Sequence, residues 1–129
     1  MEYVALVSGL VLLQYVGFGI LVGNARGKYG VKAPAITGHE VFERHFRVQQ
    51  NTLELLVVML PAMWLFARYV SPAWAAGLGL VYFGGRLVYL RSYVADPASR
   101  SAGFGLSMLP VLAMVLGAMI GAGSALFRS

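Results

Sequence analysis

The sequence predicts an all-α integral membrane protein, a four-transmembrane-helix bundle in up-down order. Three observations carry that reading. Of 129 residues, 59% are hydrophobic and 12% charged, and the mean hydropathy is +0.73; soluble domains lie far from this. Four stretches, at about 3–23, 38–69, 73–93 and 104–127, contain the roughly 20 apolar residues that a helix needs to cross a bilayer. The connections between them are short, so successive spans must run antiparallel. No room is left for a soluble core, and residues 1–129 read as one membrane domain.

Composition also excludes several kinds of chemistry. The chain has no Cys, which removes disulfides, thiolate metal sites and a protein thiol nucleophile. Two His with no ligand-spaced cluster give no metal site. The net charge of +5 is no sign of nucleic acid, because the basic residues are interleaved with spans and form no soluble basic face. The N-terminus lacks a basic n-region and a small-residue cleavage site, so Tyr3 onward is expected to stay as a span.

Each element has its local reason. In the first span, Gly9, Gly17 and Gly19 are expected to allow close helix contacts. Gln14 is its one strongly polar group. The stretch from Asn24 to Pro34 is basic and turn-rich and reads as a loop. Thr37, with Glu40 three residues on, is the expected cap of the second helix. That helix is amphipathic for four turns and then fully apolar, with Pro61 as a possible kink. Ser71-Pro72 makes a tight turn into the third span, and a polar loop from Asp96 to Ser101 leads to the fourth.

The second helix carries the residues around which the rest is organised. Arg47, Asn51 and Glu54 fall at i, i+4 and i+7, so they share one face, which Arg44 extends by a turn. Glu54 is already inside the apolar run, where an ionisable group is expensive and reads as functional. In the third span Tyr82, Arg86, Tyr89 and Tyr93 form a second stripe. The plainer reading of the first stripe is an Arg–Glu pair that holds helices together. The plainer reading of the tyrosines is an interfacial aromatic belt. Against both, Arg86 adds a second cation where the membrane portion offers a single acid, and Arg26 and Arg100 approach from flanking loops. An excess of cations and phenol donors around one carboxylate calls for an anionic ligand with an ammonium for Glu54. Glutathione, with two carboxylates, one ammonium and a thiol, fits.

At these residues the chain resembles the MAPEG family, the membrane-associated proteins of eicosanoid and glutathione metabolism. The resemblance is carried by Ala25-Arg26 through Val31 and Pro34; by Gly38; by Phe42-Glu43-Arg44 through Arg47, Gln49, Asn51 and Glu54; and by Val81-Tyr82, Arg86, Tyr89, Tyr93 and Arg100. It covers nearly the whole chain. It implies a homotrimer of four-helix subunits with glutathione held between neighbours as cosubstrate. Arg47, Asn51, Glu54, Arg86, Tyr89 and Tyr93 would bind it from one subunit, and Arg26, Gln49 and Arg100 from the next. It further implies that Arg100 activates the thiol, with Tyr93 as the rival. Leu55 stands where the family's leukotriene-forming synthases have Tyr, and Gly27 where they have a second Arg. Both departures point away from that subgroup and leave the substrate open; the resemblance is to a bacterial-type, microsomal glutathione transferase-like member.

The resulting expectation is a detoxifying glutathione transferase or peroxidase in a bacterial inner membrane, meeting lipophilic electrophiles and membrane lipid. A non-catalytic scaffold that binds lipid or glutathione is the alternative. A small drug exporter is disfavoured, because such exporters place an acid in the first span and this span has none. Arg26, Lys28, Lys32, Arg44, Arg47, Arg86, Arg91 and Arg100 lie towards the two longer loops, against Arg68 and Arg128 at the other end. The positive-inside rule then puts both loops and the site at the cytoplasmic face, with both termini outside. A reporter enzyme fused after Ser129 should be active only outside the cytoplasm; activity inside would reverse the orientation.

Overall fold

The structure, a computed structural model, describes residues 1–129. Four long helices make up almost all of it: α1 (Glu2–Tyr29), α2 (Glu40–Tyr69), α3 (Pro72–Ala95) and α4 (Ser101–Arg128), with a 3-10 turn at Pro97–Ser99 before α4. All four are long and apolar enough to cross a membrane. The protein is an integral membrane protein built as an up-down bundle. α2 and α3 form the middle, and α1 and α4 flank them.

Helix ends depart from the sequence expectation in two places. α1 does not stop near Gly23 but continues to Tyr29. Nothing from Asn24 to Tyr29 forbids a helix, and Arg26 and Lys28 in the last turn suit its negative end. The stop is Gly30, at φ 69°, a left-handed conformation that favours glycine. At the start of α2 the cap is His39 and not Thr37: the His39 ring Nδ1 accepts from Val41 N–H at 3.1 Å. Glu43 Oε2, and not Glu40, reaches back to accept from Gly38 N–H at 3.1 Å. Gly38 sits at φ 141°, so the chain turns there and the helix can only begin after it. Ser71 caps α3 by accepting from Trp74 N–H at 3.2 Å, with Pro72 in the first turn. α2 runs on through Pro61 and α4 through Pro110 without a break.

The core is one cluster of Val, Leu, Met, Phe and Ala side chains that includes Val4, Val7 and Val11 of α1, Met59, Met63 and Phe66 of α2 and Val111 and Met114 of α4. Two polar bonds tie helices within it. Gln14 Nε2 donates to Phe83 O at 2.9 Å, and Trp64 Nε1 donates to Ser8 Oγ at 2.9 Å. Inside a bilayer such bonds link helices whose apolar surfaces gain little by leaving lipid.

The closest backbone approach is between α3 and α4. A Cβ built on Gly85 would stand 2.7 Å from the carbonyl carbon of Leu106 and 2.8 Å from the Ser107 nitrogen, and one on Gly103 would strike the backbone of Tyr89. The first-span glycines behave differently. Nothing lies within 4 Å of a Cβ on Gly9 or Gly17, and one on Gly19 would meet only the end of Gln49. The small residues that let backbones touch are those of α3 and α4.

This yields a paired prediction. Gly85→Ala overpacks the α3–α4 seam and should destabilise by about 1–3 kcal/mol. Gly105→Ala, where a Cβ meets nothing within 4 Å, should be neutral or stabilise by up to about 1 kcal/mol through helix propensity. Thermal unfolding of both variants in detergent checks the contrast; equal effects would mean that the seam is looser than described.

Candidate functional site

The polar stripes of α2 and α3 meet. Arg86 on α3 is wholly buried, at 0% exposure, and reaches across to α2 and α4. Its Nη1 donates to Asn51 Oδ1 at 2.7 Å and to Thr52 Oγ1 at 3.2 Å, and its Nε donates to Ser107 Oγ at 2.8 Å. Its guanidinium carbon lies 4.4 Å from the Tyr89 ring centroid and 5.9 Å from that of Tyr82, within cation–π range. No carboxylate pairs with it. The chain's two ion pairs are the N-terminus with Glu2, and Arg44 with Glu40. Arg86 Nη2 and the Tyr82 hydroxyl find no partner.

In front of Arg86 opens a polar cleft of about 390 Å³, lined by Arg47, Gln50, Asn51 and Glu54 of α2, Tyr89 and Tyr93 of α3, and Arg100 after the 3-10 turn. Tyr89 and Tyr93 stack at 5.5 Å between centroids. Among the seven lining side chains only Asn51 and Arg100 are hydrogen-bonded, Arg100 donating through Nη1 to Pro97 O at 2.9 Å. Arg47 and Glu54 are both exposed on this flank and form no ion pair, with each other or with any other group. An Arg–Glu pair that holds helices together is therefore not what these two residues make.

A second polar hollow of about 580 Å³ shares Arg47 and Tyr93 with the cleft and opens at the loop end, between His39, Glu40, Glu43, Arg44 and Pro97. Apart from the shared Arg47, its charged groups are already engaged. Arg44 pairs with Glu40 and donates to Val94 O at 2.9 Å, and Glu43 accepts from Gly38. Arg44 lies on the expected stripe but is spent on tying α2 to the end of α3.

Arg26 and Gln49 stand apart from the cleft of their own chain. Arg26, in the last turn of α1, donates to Ala35 O at 2.7 Å and to Val31 O at 3.3 Å, and lies 4.8 Å from the Phe42 ring centroid. It fastens the α1–α2 loop. Gln49 packs over Gly19 of α1, with its Nε2 3.2 Å from where a Cβ would stand. Arg100, which the resemblance assigns to a neighbour's site, lines the cleft of its own chain.

Three residues with a part in the arrangement were not singled out from the sequence. Gln50 lies at i+3 from Arg47, so helical spacing alone places it on the cleft face. Thr52 is a hydroxyl within the polar part of α2 and Ser107 a lone hydroxyl in an apolar run, and both turn inward to Arg86. A hydroxyl in a membrane span commonly bonds to its own helix, so neither carried a signal by itself.

Further along α2 from the cleft lies an apolar groove. Val57, Val58, Pro61 and Leu65, three to eleven residues beyond Glu54 on α2, line a groove of about 370 Å³ against Val115, Ala118, Met119 and Ala122 of α4.

Comparison with known proteins places this architecture. The sequence model of the MAPEG family matches residues 4–120. An uncharacterized protein of the cyanobacterium Synechocystis is 47% identical over 116 residues, 90% of this chain and 85% of that protein. Human microsomal glutathione S-transferase 2 is 40% identical over 116 residues, 89% of this chain and 79% of that protein. A probable microsomal glutathione S-transferase of Dictyostelium discoideum is 32% identical over 112 residues, 83% of this chain and 75% of that protein. With four membrane-length helices, two interlocked polar stripes and a family match over nearly its full length, the chain belongs to the MAPEG family.

Proposed function

We propose that the protein is a membrane glutathione transferase that joins glutathione to lipophilic electrophiles, with peroxidase activity where the electrophile is a hydroperoxide. The observation that carries this reading is the pair Arg47 and Glu54: opposite charges in one cleft, each without a protein partner. Such a cleft suits a zwitterion. Glu54 is its carboxylate for the ammonium, and Arg47, Asn51 and Gln50 supply donors for carboxylate and carbonyl oxygens. The microsomal glutathione S-transferase relatives support glutathione as that zwitterion.

An unpaired Arg and Glu on a membrane-facing flank also call for cover, since lipid tails cannot solvate them. A homotrimer, as the family resemblance implies, provides it: the neighbouring subunit closes the cleft and brings Arg26 and Gln49 to its edge. The cleft then lies at the cytoplasmic face of a bacterial inner membrane. The electrophile enters from the bilayer, and the apolar groove beginning one turn below Glu54 gives it a path.

The chemistry asked of the site is modest. A thiol of pKa about 8.5 is mostly protonated at neutral pH, and each unit of depression takes about 1.4 kcal/mol of differential stabilisation. The Arg100 guanidinium supplies that by holding the thiolate, its proton passing to water. The sulfur then forms a bond to the electrophilic carbon while the leaving group departs with its electron pair. With a hydroperoxide, the thiolate attacks the peroxide oxygen and releases the alcohol. A second glutathione then converts the sulfenic acid to the disulfide and water.

The Tyr93 hydroxyl, which has no partner within the chain, is the competing donor to sulfur. Arg100→Ala beside Tyr93→Phe decides between them, with thiolate ultraviolet absorbance and turnover measured on each. Arg100→Ala should bind glutathione, lose the thiolate signal and lose on the order of a hundredfold in kcat, the scale of one deleted charge-stabilising donor. Loss of the signal only in Tyr93→Phe transfers the role to the phenol. No change in either variant favours a scaffold that binds glutathione without activating it.

A further inference from the structure

We propose that Ser107 is a positioning residue for the glutathione site, acting through Arg86 to hold the Asn51 amide with its NH2 group turned into the cleft. The proposal rests on the reading of that cleft as a glutathione site. It adds which group of Asn51 meets the ligand and what keeps it there.

A guanidinium carries only donors. Arg86 Nη1 lies 2.7 Å from the Asn51 side chain, so the amide oxygen must face Arg86, and the nitrogen must face the other way. Asn51 lines the cleft, so that other way is towards the ligand. The cleft thus receives two N–H donors from Asn51 and no acceptor. A carboxylate or peptide carbonyl satisfies them; an ammonium does not, and is left to Glu54.

This orientation is only as firm as Arg86 itself, and no carboxylate anchors Arg86. The guanidinium plane is fixed by acceptors on two helices and by the Tyr89 ring against it. Ser107 is the acceptor on the Nε side. Its own hydrogen is committed to Gly103 O at 2.7 Å, so its lone pairs are what it offers Arg86. Thr52 is held the same way on the Nη1 side, donating to Val48 O at 2.8 Å. Ser107 is at 0% exposure and belongs to α4; it touches neither the cleft nor anything in it. It reaches Arg86 because the α3 and α4 backbones touch at Gly85. Without the Ser107 oxygen, Nε is left buried and unpaired. The guanidinium then turns to find another acceptor, and the Asn51 amide is released to present its oxygen to the ligand.

The test is a double-mutant cycle on glutathione affinity, read by calorimetry on the intact oligomer. Ser107→Ala should weaken binding by roughly two- to tenfold. The lower figure applies when two amide orientations become equally populated, the upper when the donor is lost altogether. In an Asn51→Ala background, where Thr52 still accepts from Nη1, Ser107→Ala should cost no further affinity, because the group it acts through is gone. A purely structural Ser107 would lower affinity by the same factor in both backgrounds, and that result overturns the proposal. So does unchanged affinity in the Asn51 background of the native chain. If Ser107→Ala fails to assemble, Ser107→Cys fills the site with a slightly larger side chain and a weaker acceptor and should follow the same pattern. A native protein that binds no glutathione at all would sink the ligand reading itself, a failure distinguishable from an absent Ser107 effect in a protein that does bind.

Discussion

A guanidinium buried in a membrane protein without a counter-ion is the constraint on which this structure turns. Removing one charge from water costs several kcal/mol, and deletion of its partners leaves it stranded. Arg86 meets that cost with neutral acceptors and aromatic faces: a hydroxyl on α4, an amide and a hydroxyl on α2, and two tyrosine rings on its own helix. Each of the three acceptors must lie about 3 Å from an N–H of one fixed plane, so three helices are held in register by one side chain. The glycine contacts at Gly85 and Gly103 serve the same end, because only touching backbones bring Ser107 close enough.

The use of neutral acceptors has a consequence for chemistry. Glu54 is the acid of the membrane portion, and it would be the natural partner of Arg86. It pairs with nothing in the chain and lines the cleft instead. Because hydroxyls and an amide look after the buried cation, the carboxylate remains available to a ligand. Arg47 is free for the same reason. A site for a zwitterion needs one charge of each sign close by but unpaired, and the Arg86 network is what permits that. In the proposed trimer the same free charges connect ligand binding to assembly.

The fold was legible in the sequence where one physical signal dominated. Hydropathy marked four spans, and the i, i+4, i+7 spacing of Arg47, Asn51 and Glu54 and of Tyr82, Arg86 and Tyr89 marked the two stripes that meet. What escaped depends on backbone conformation or on register between helices. The α1 overrun to Tyr29 and the His39 cap follow from the positive φ angles of Gly30 and Gly38, and a glycine in sequence does not announce which angle it adopts. Gly9 and Gly17 resemble Gly85 and Gly103 as letters, but only the latter pair lies where a neighbouring helix passes. Ser107 is 21 positions from Arg86, and no periodicity within a helix links them. That Arg100 lines the cleft of its own chain while Arg26 fastens the α1–α2 loop is likewise set by packing and not by local pattern.

The central claim is that Arg47 and Glu54 stand unpaired because a zwitterionic tripeptide pairs them. Calorimetric titration of glutathione into the native protein and into Arg47→Lys addresses it directly, since lysine keeps the charge but loses the planar two-point fork. The account requires saturable binding to the native protein and an affinity weakened by roughly tenfold or more in the variant, on the scale of one charged hydrogen bond, with the oligomer intact. Unchanged affinity in Arg47→Lys, or no binding to the native protein, would contradict it.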